Sequence, residues 1–189
     1  MSIKRIVVSG TVLAFILALS GVVLAAEKAP QKVHDLANTS LAALGKSNLI
    51  IKAVKEQNAR NMTLESIKEM DEKWKNTPGI ADFMKPLMDS GCAPNLKQIQ
   101  NMNPFYAEIF VMDNQGANVC QTDKTSDYWQ GDEAKFQNSF NGGKGAIFVD
   151  DIEFDDSTQA YISQVSVPVM DGGKAIGAIT FGIDVDKLK

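Results

Sequence analysis

Histidine occurs once in the 189 residues, at position 34, and no arginine follows Arg60. A lone histidine argues against His-based zinc sites and against Ser-His-Asp chemistry. Basic residues are outnumbered, 19 against 23 acidic, and two of the 19 (Lys4, Arg5) precede residue 26 while every acidic residue follows it. The chain beyond residue 26 therefore carries a charge of −6. A domain this acidic lacks the basic face that phosphate binding needs, so nucleic acid is excluded as a partner. Internal repeats and low-complexity linkers are absent as well. What is present is an ordinary globular mix, 44% hydrophobic and 22% charged, long enough for one domain with a real core.

The N-terminus reads as an export signal. Lys4 and Arg5 give a positive start, and Ile6 to Ala26 follow without a charge. Val23-Leu24-Ala25 and Leu24-Ala25-Ala26 both end on a small residue, as signal peptidase requires. Two readings stand: residues 1–26 are a cleaved signal peptide, or they are an uncleaved anchor, since such a run also spans a bilayer. Either way residues 27–189 are expected in the periplasm or another extracytoplasmic space. Cys92 and Cys120, the only cysteines, would there form a disulfide that persists; two buried free thiols are the alternative.

Helices come first. Apolar or small residues at Val33, Leu36, Ala37, Leu41, Leu44, Ile51 and Val54 keep helical spacing. They predict one long helix from about Pro30 to Arg60, eased at Gly45. Thr63 is a fair N-cap for a second helix carrying Leu64, Ile67, Asp71 and Trp74 and ending near Asn76. Short helical turns are expected over 80–88 and 95–101. After Pro104 the pattern changes to strands: 106–112, 117–122, 146–154, 159–170 and 175–185, with a helix near 132–140 between the second and third. Asp113-Asn114-Gln115-Gly116 and Asp171-Gly172-Gly173-Lys174 are turns. The expected fold class is α+β, a long N-terminal helix packed on a five-stranded antiparallel sheet, with a helical part over about 30–103 and a sheet part over about 105–186.

This order, the turn in Ile109-Phe110-Val111-Met112-Asp113-Asn114-Gln115-Gly116, and the terminal hairpin Val167 to Asp184 resemble the Cache family of extracytoplasmic sensor domains (PAS-like, PDC), in the single form. The resemblance covers about residues 30–186. It implies a small-molecule pocket on one sheet face, walled by the segment between strands two and three and by strands three to five. In amino-acid-binding relatives that segment carries Tyr, Arg, Trp and Tyr, and an Asp closes the last strand. Here Tyr128 and Trp129 match in type and Asp184 matches the late aspartate, whereas the carboxylate-gripping arginine is missing.

Residues 105–156 hold eleven acidic residues against three lysines. Rings and carboxylates together suit a cation. The expected ligand is an amine or other small cationic metabolite, held by Tyr128, Trp129, Tyr161 and one or more of Asp132, Asp150 and Asp184. The alternative is a small carboxylate bound by Lys135. Tyr128 and Trp129 are equally readable as a packed loop anchor, and the acidic run from Asp150 to Asp156 as a solvated strand end; that run lacks the glycine and terminal glutamate of an EF-hand loop.

No nucleophile and base are paired, and neighbouring strand residues such as Asp150 and Asp151 point to opposite faces, so catalysis is not expected and no cofactor is implied. The leading function is a non-catalytic sensor-type binding protein. Most Cache domains are followed by a membrane span and an output module. This chain stops at Lys189, so the expected partner is a membrane receptor or kinase, with homodimerisation through the N-terminal helix left open. A structural or chaperone-like interaction protein without a ligand is the remaining class.

Overall fold

The computed structural model describes residues 27–188, and the predicted signal segment lies outside the described residues. Helix α1 (Gln31–Leu36) runs through a π turn (Ala37–Leu41) into α2 (Ala42–Leu44), and α3 (Asn48–Asn58) follows. The expected long helix is thus interrupted at Gly45 to Ser47. A Cβ on Gly45 would meet the Pro168 carbonyl oxygen, and the Gly45 carbonyl accepts from Met170 N–H at 3.0 Å. The helix breaks where it leans against the sheet, and only glycine lets the two backbones come that close.

Helix α4 (Leu64–Lys75) starts at Thr63, whose side chain accepts from Ser66 N–H. Its buried face is Ile67, Asp71 and Trp74. Two short helices follow, α5 (Lys85–Asp89) and α6 (Ala93–Met102). The strands are β1 (Tyr106–Met112), β2 (Asn118–Gln121), β3 (Phe148–Asp155), β4 (Ala160–Asp171) and β5 (Lys174–Asp184), with α7 (Ala134–Phe140) between β2 and β3. They form one antiparallel sheet in the order β2-β1-β5-β4-β3. Gly172 and Gly173 both have positive φ in the β4–β5 turn, as a tight hairpin of this hand requires.

Strand period divides the sheet into two faces. Ile109, Val111, Cys120, Val165, Val167, Val169, Ile179, Phe181 and Ile183 share one core with Val33, Ala37, Leu41, Ile50 and Val54 of the N-terminal helices. The Cys92–Cys120 disulfide forms, with Cα atoms 5.8 Å apart, and ties the start of α6 to β2 on this side. The opposite face carries Phe110, Met112 and Ala178 under Phe136 and Phe140 of α7. Edge strand β3 is extended by a bridge between Ile152 and Glu27.

Candidate functional site on the polar sheet face

The face under α7 is unusual in what it buries. Glu108 and Phe110 from β1, Gln121 from β2, Gln164 and Ser166 from β4 and Thr180 from β5 lie on it by strand register. Ser166 and Thr180 satisfy each other at 2.7 Å. Gln121 is fully buried, and neither its amide nitrogen nor its amide oxygen has a partner. Gln130 is 1% exposed; its Nε2 donates to the Asp127 carbonyl at 2.9 Å, which leaves Oε1 unpaired. Asn118 repeats the pattern: Nδ2 donates to Thr125 Oγ1 and the Asp127 carbonyl, and Oδ1 has no partner. Asn118 lines a different hollow, with Gln57, Arg60 and Cys92; an orphaned buried polar atom costs about 1–3 kcal/mol, so Gln121 and Gln130 call for a cause.

The segment covering these groups is Asp123 to Lys135, and it is strapped down from α4. Asp71 Oδ1 accepts the backbone N–H groups of Tyr128 at 2.8 Å and Trp129 at 3.0 Å. Trp74 Nε1 donates to the Thr125 carbonyl at 2.8 Å, and Lys124 Nζ to the Thr77 carbonyl at 2.7 Å. Asp71 is held in turn by Lys75 at 2.7 Å. Fixed groups of this kind pre-organise a site.

Between segment and sheet lies a hollow of about 30 Å³, lined by Glu108, Phe110, Thr125, Ser126, Gln130, Lys135, Asp155, Ser157 and Gln164. That is room for about one water-sized group. Lys135, Asp155 and Gln164 also line a larger depression of about 220 Å³ with Asp150 and Glu153, while Glu108 and Ser157 also line one of about 410 Å³ with Asp123, Asp184 and Lys187.

Glu108 lines the small hollow and the depression of about 410 Å³. Its Cγ lies 2.8 Å from the point where a Cβ on Gly182 would fall, so the glycine gives it room. Gln164 Nε2 donates to its Oε1 at 3.3 Å. Burial first, then the neighbouring Asp155 charge, pushes its carboxyl up to about 7, against the weaker pull of Lys135 and Gln164. Among the described residues Glu108 has no ion pair. Lys135, nearest in charge, pairs with Glu133 at 3.6 Å and sits over the Phe110 ring.

The seven residues singled out from sequence do not converge on one hollow. Lys135, Asp150 and Asp184 line the depressions just described. Asp184 also accepts from the Asp186 and Lys187 N–H groups and pairs with Lys187 at 2.7 Å. Trp129 and Asp132 line a separate depression beside α4; the indole N–H donates to the Gln115 carbonyl, and Lys68 sits over the ring at 4.6 Å. The Tyr128 ring is buried against Trp74, and its hydroxyl accepts from Gln57. Tyr161 is 56% exposed, edge-on to Phe154. Trp129 and Asp184 thus line no depression in common. Sequence reasoning passed over Glu108, Gln121 and Gln130. The signal was the alternation Gln164-Val165-Ser166-Val167 and Thr180-Phe181-Gly182-Ile183, which marks one face of a buried sheet as polar.

No protein-family model matches this chain, and no curated protein matches it. Among solved structures, the ligand-binding domain of the Campylobacter jejuni chemoreceptor Tlp3 in complex with 4-methylisoleucine is 15% identical, with 84% of this chain covering 60% of that one at a TM-score of 0.43. The sensor domain of the V. cholerae histidine kinase DctB is 10% identical over 83% of this chain and 59% of that one, TM-score 0.39. The ligand-binding domain of the Pseudomonas aeruginosa PAO1 amino acid chemoreceptor PctC, in complex with GABA, is 16% identical over 82% and 66%, TM-score 0.37. The chain spans about three fifths to two thirds of the length of these structures. Each of them is a ligand-binding or sensor domain of a chemoreceptor or histidine kinase.

Proposed function

We propose that this protein is an extracytoplasmic, non-catalytic sensor domain that binds a small amine on the polar sheet face beneath residues 123–135. The carrying observation is Glu108, a buried carboxylate with no cationic partner among the described residues, facing a hollow that Gln130, whose amide oxygen is unpaired, also lines. A bound cation would supply the missing counter-charge. The surrounding depressions add Asp150, Glu153, Asp155 and Asp184, so the local field favours positive charge.

A small carboxylate is the second reading. Lys135 supports it, since its side chain is only 13% exposed and it lines both the hollow and the larger depression. Calorimetric titration with a panel of amines and carboxylates separates the two. Binding by amines alone supports the Glu108 site, whereas binding by carboxylates alone assigns the site to Lys135 and discards the amine.

Export is supported by the charged start and apolar run of the sequence and by the disulfide, a bond that persists outside the cytoplasm. No described helix is long and apolar enough to cross a membrane. A membrane receptor or kinase is the partner we infer. The N-terminal helices are the route to it, because they pack on the same strands that carry the site on their other face. Recovery of such a receptor with the amine-loaded protein, and its loss without amine, is the expected outcome; recovery regardless of amine would contradict a sensing role.

A further inference from the structure

The hollow that Asn118 lines has a volume of about 160 Å³ and shares no lining residue with the one at Glu108. It lies between α3, the corner joining α5 to α6, and β2. Gln57, Asn118 and Tyr128 are its buried, uncharged lining, and Glu56, Arg60, Ser90 and Gly91 its exposed rim. Thr125 Oγ1 gives its hydrogen to the Asp127 carbonyl at 2.7 Å, so toward Asn118 it can only accept. That fixes Asn118 Nδ2 and leaves Oδ1 as the atom without a partner. The Tyr128 hydroxyl accepts from Gln57 at 3.4 Å and keeps its own hydrogen to donate. Arg60, the one arginine in residues 27–188, has no ion pair among the described residues, and Glu56 one turn before it pairs with Lys52 at 3.9 Å. The end of α3 that carries Arg60 is tied to the sheet, because Asn58 Nδ2 donates to the Ile176 carbonyl at 2.8 Å and its Oδ1 accepts from Asn114 N–H at 3.0 Å.

We infer that this hollow captures the C-terminal residue of a partner peptide, one that ends in a small side chain. The terminal carboxylate pairs with Arg60, whose planar fork matches it, and takes the Tyr128 O–H as a further donor. The N–H of the same terminal residue supplies Asn118 Oδ1 with an uncharged donor, which a buried amide can accept without stranding a charge. A terminal alanine brings about six non-hydrogen atoms, roughly the guest that a cavity of this volume admits. The preceding chain leaves over Gly91, where an added Cβ would meet nothing within 4 Å. The inference is independent of the amine site.

The test is a ¹H–¹⁵N titration of the protein with the acetylated peptide Ac-Gly-Gly-Ala, with its C-terminal amide, and with Ac-Gly-Gly-Pro, which lacks the terminal N–H. The acid should bind about tenfold tighter than either control, each of which has lost one of the two recognised groups. Its shifts should fall on the Asn118 side-chain NH₂ and on Arg60 and leave Gln130 in place. Arg60→Gln, a change at an exposed residue, should bring acid and amide to equal affinity. No binding, equal affinities in the wild type, a preference for the acid that persists in Arg60→Gln, or shifts on Gln130 alone overturn the inference. Lactate binding as tightly as the peptide also overturns it, by making the occupant a free hydroxy acid.

Discussion

Asp71 and Tyr128 meet across 57 residues of sequence: one oxygen of the α4 carboxylate accepts the Tyr128 backbone N–H at 2.8 Å, and the Trp129 N–H at 3.0 Å. Helix and covering segment are joined by a side chain that is 4% exposed. This bond sets where the aromatic pair points, and it leaves Gln130 to face the sheet.

Asp71→Ala should therefore cost about 2–4 kcal/mol, since it leaves two backbone donors without their acceptor. Asp71→Asn keeps one carbonyl oxygen and should cost less. Urea unfolding of both variants measures the difference. Amine affinity should fall with Asp71→Ala as the segment loosens.

The Cys92–Cys120 bond closes a loop with a sequence separation of 28. On the chain-entropy account it contributes roughly 3–4 kcal/mol. Cys92→Ala/Cys120→Ala should melt roughly 10 °C lower at this chain length. A scanning-calorimetry comparison of the two proteins checks this, with no change in Tm as the contrary result.

Glu108 gives the fold a pH signature. Its carboxyl titrates near 7 when folded against an ordinary 4.5, because burial and then Asp155 disfavour the charge. The folded state thus holds a proton that the unfolded chain has lost. Stability should fall as pH rises from about 4.5 through about 7, with the loss complete above the folded value. Glu108→Gln should flatten that stretch of the Tm-against-pH curve and melt higher than wild type at pH 8. Amine binding needs the ionised form, so titrations at pH 6.5 in buffers of different ionisation enthalpy should show proton release, absent in the variant.

Gly182→Ala tests the geometry of the same carboxylate. The new methyl would fall 2.8 Å from Glu108 Cγ. The side chain must swing off the sheet, at a cost of about 1–3 kcal/mol as for other overpacked sites. Amine affinity should drop with it. A crystal structure with Glu108 unmoved would contradict this account.

Much of the fold was legible because it is periodic. Helical spacing from Val33 to Val54 and alternation such as Ile109-Phe110-Val111 state which side is buried, and Asp171-Gly172-Gly173 states where the chain turns. The helix break fell at Gly45, the residue the pattern flagged. The site was less legible. Tyr128 and Trp129 sit in the right segment, yet Asp71, Trp74 and Gln115 decide where their polar atoms go, and those contacts span 14 to 58 residues. Gln121 reads from sequence as an ordinary polar strand residue. Only the closing of the segment over β2 makes it a buried group without a partner.

Glu108 and Gln130 line one hollow, and an amine bound there touches both. The Gln130 side-chain NH₂ signals in a ¹H–¹⁵N spectrum, followed while propylammonium is added, report on this directly. They should shift and saturate in step with the backbone signal of Glu108, while the Trp129 indole N–H stays in place. Shifts confined to Trp129 and Asp132, with Gln130 unmoved, would place binding beside α4 and contradict an amine site at Glu108.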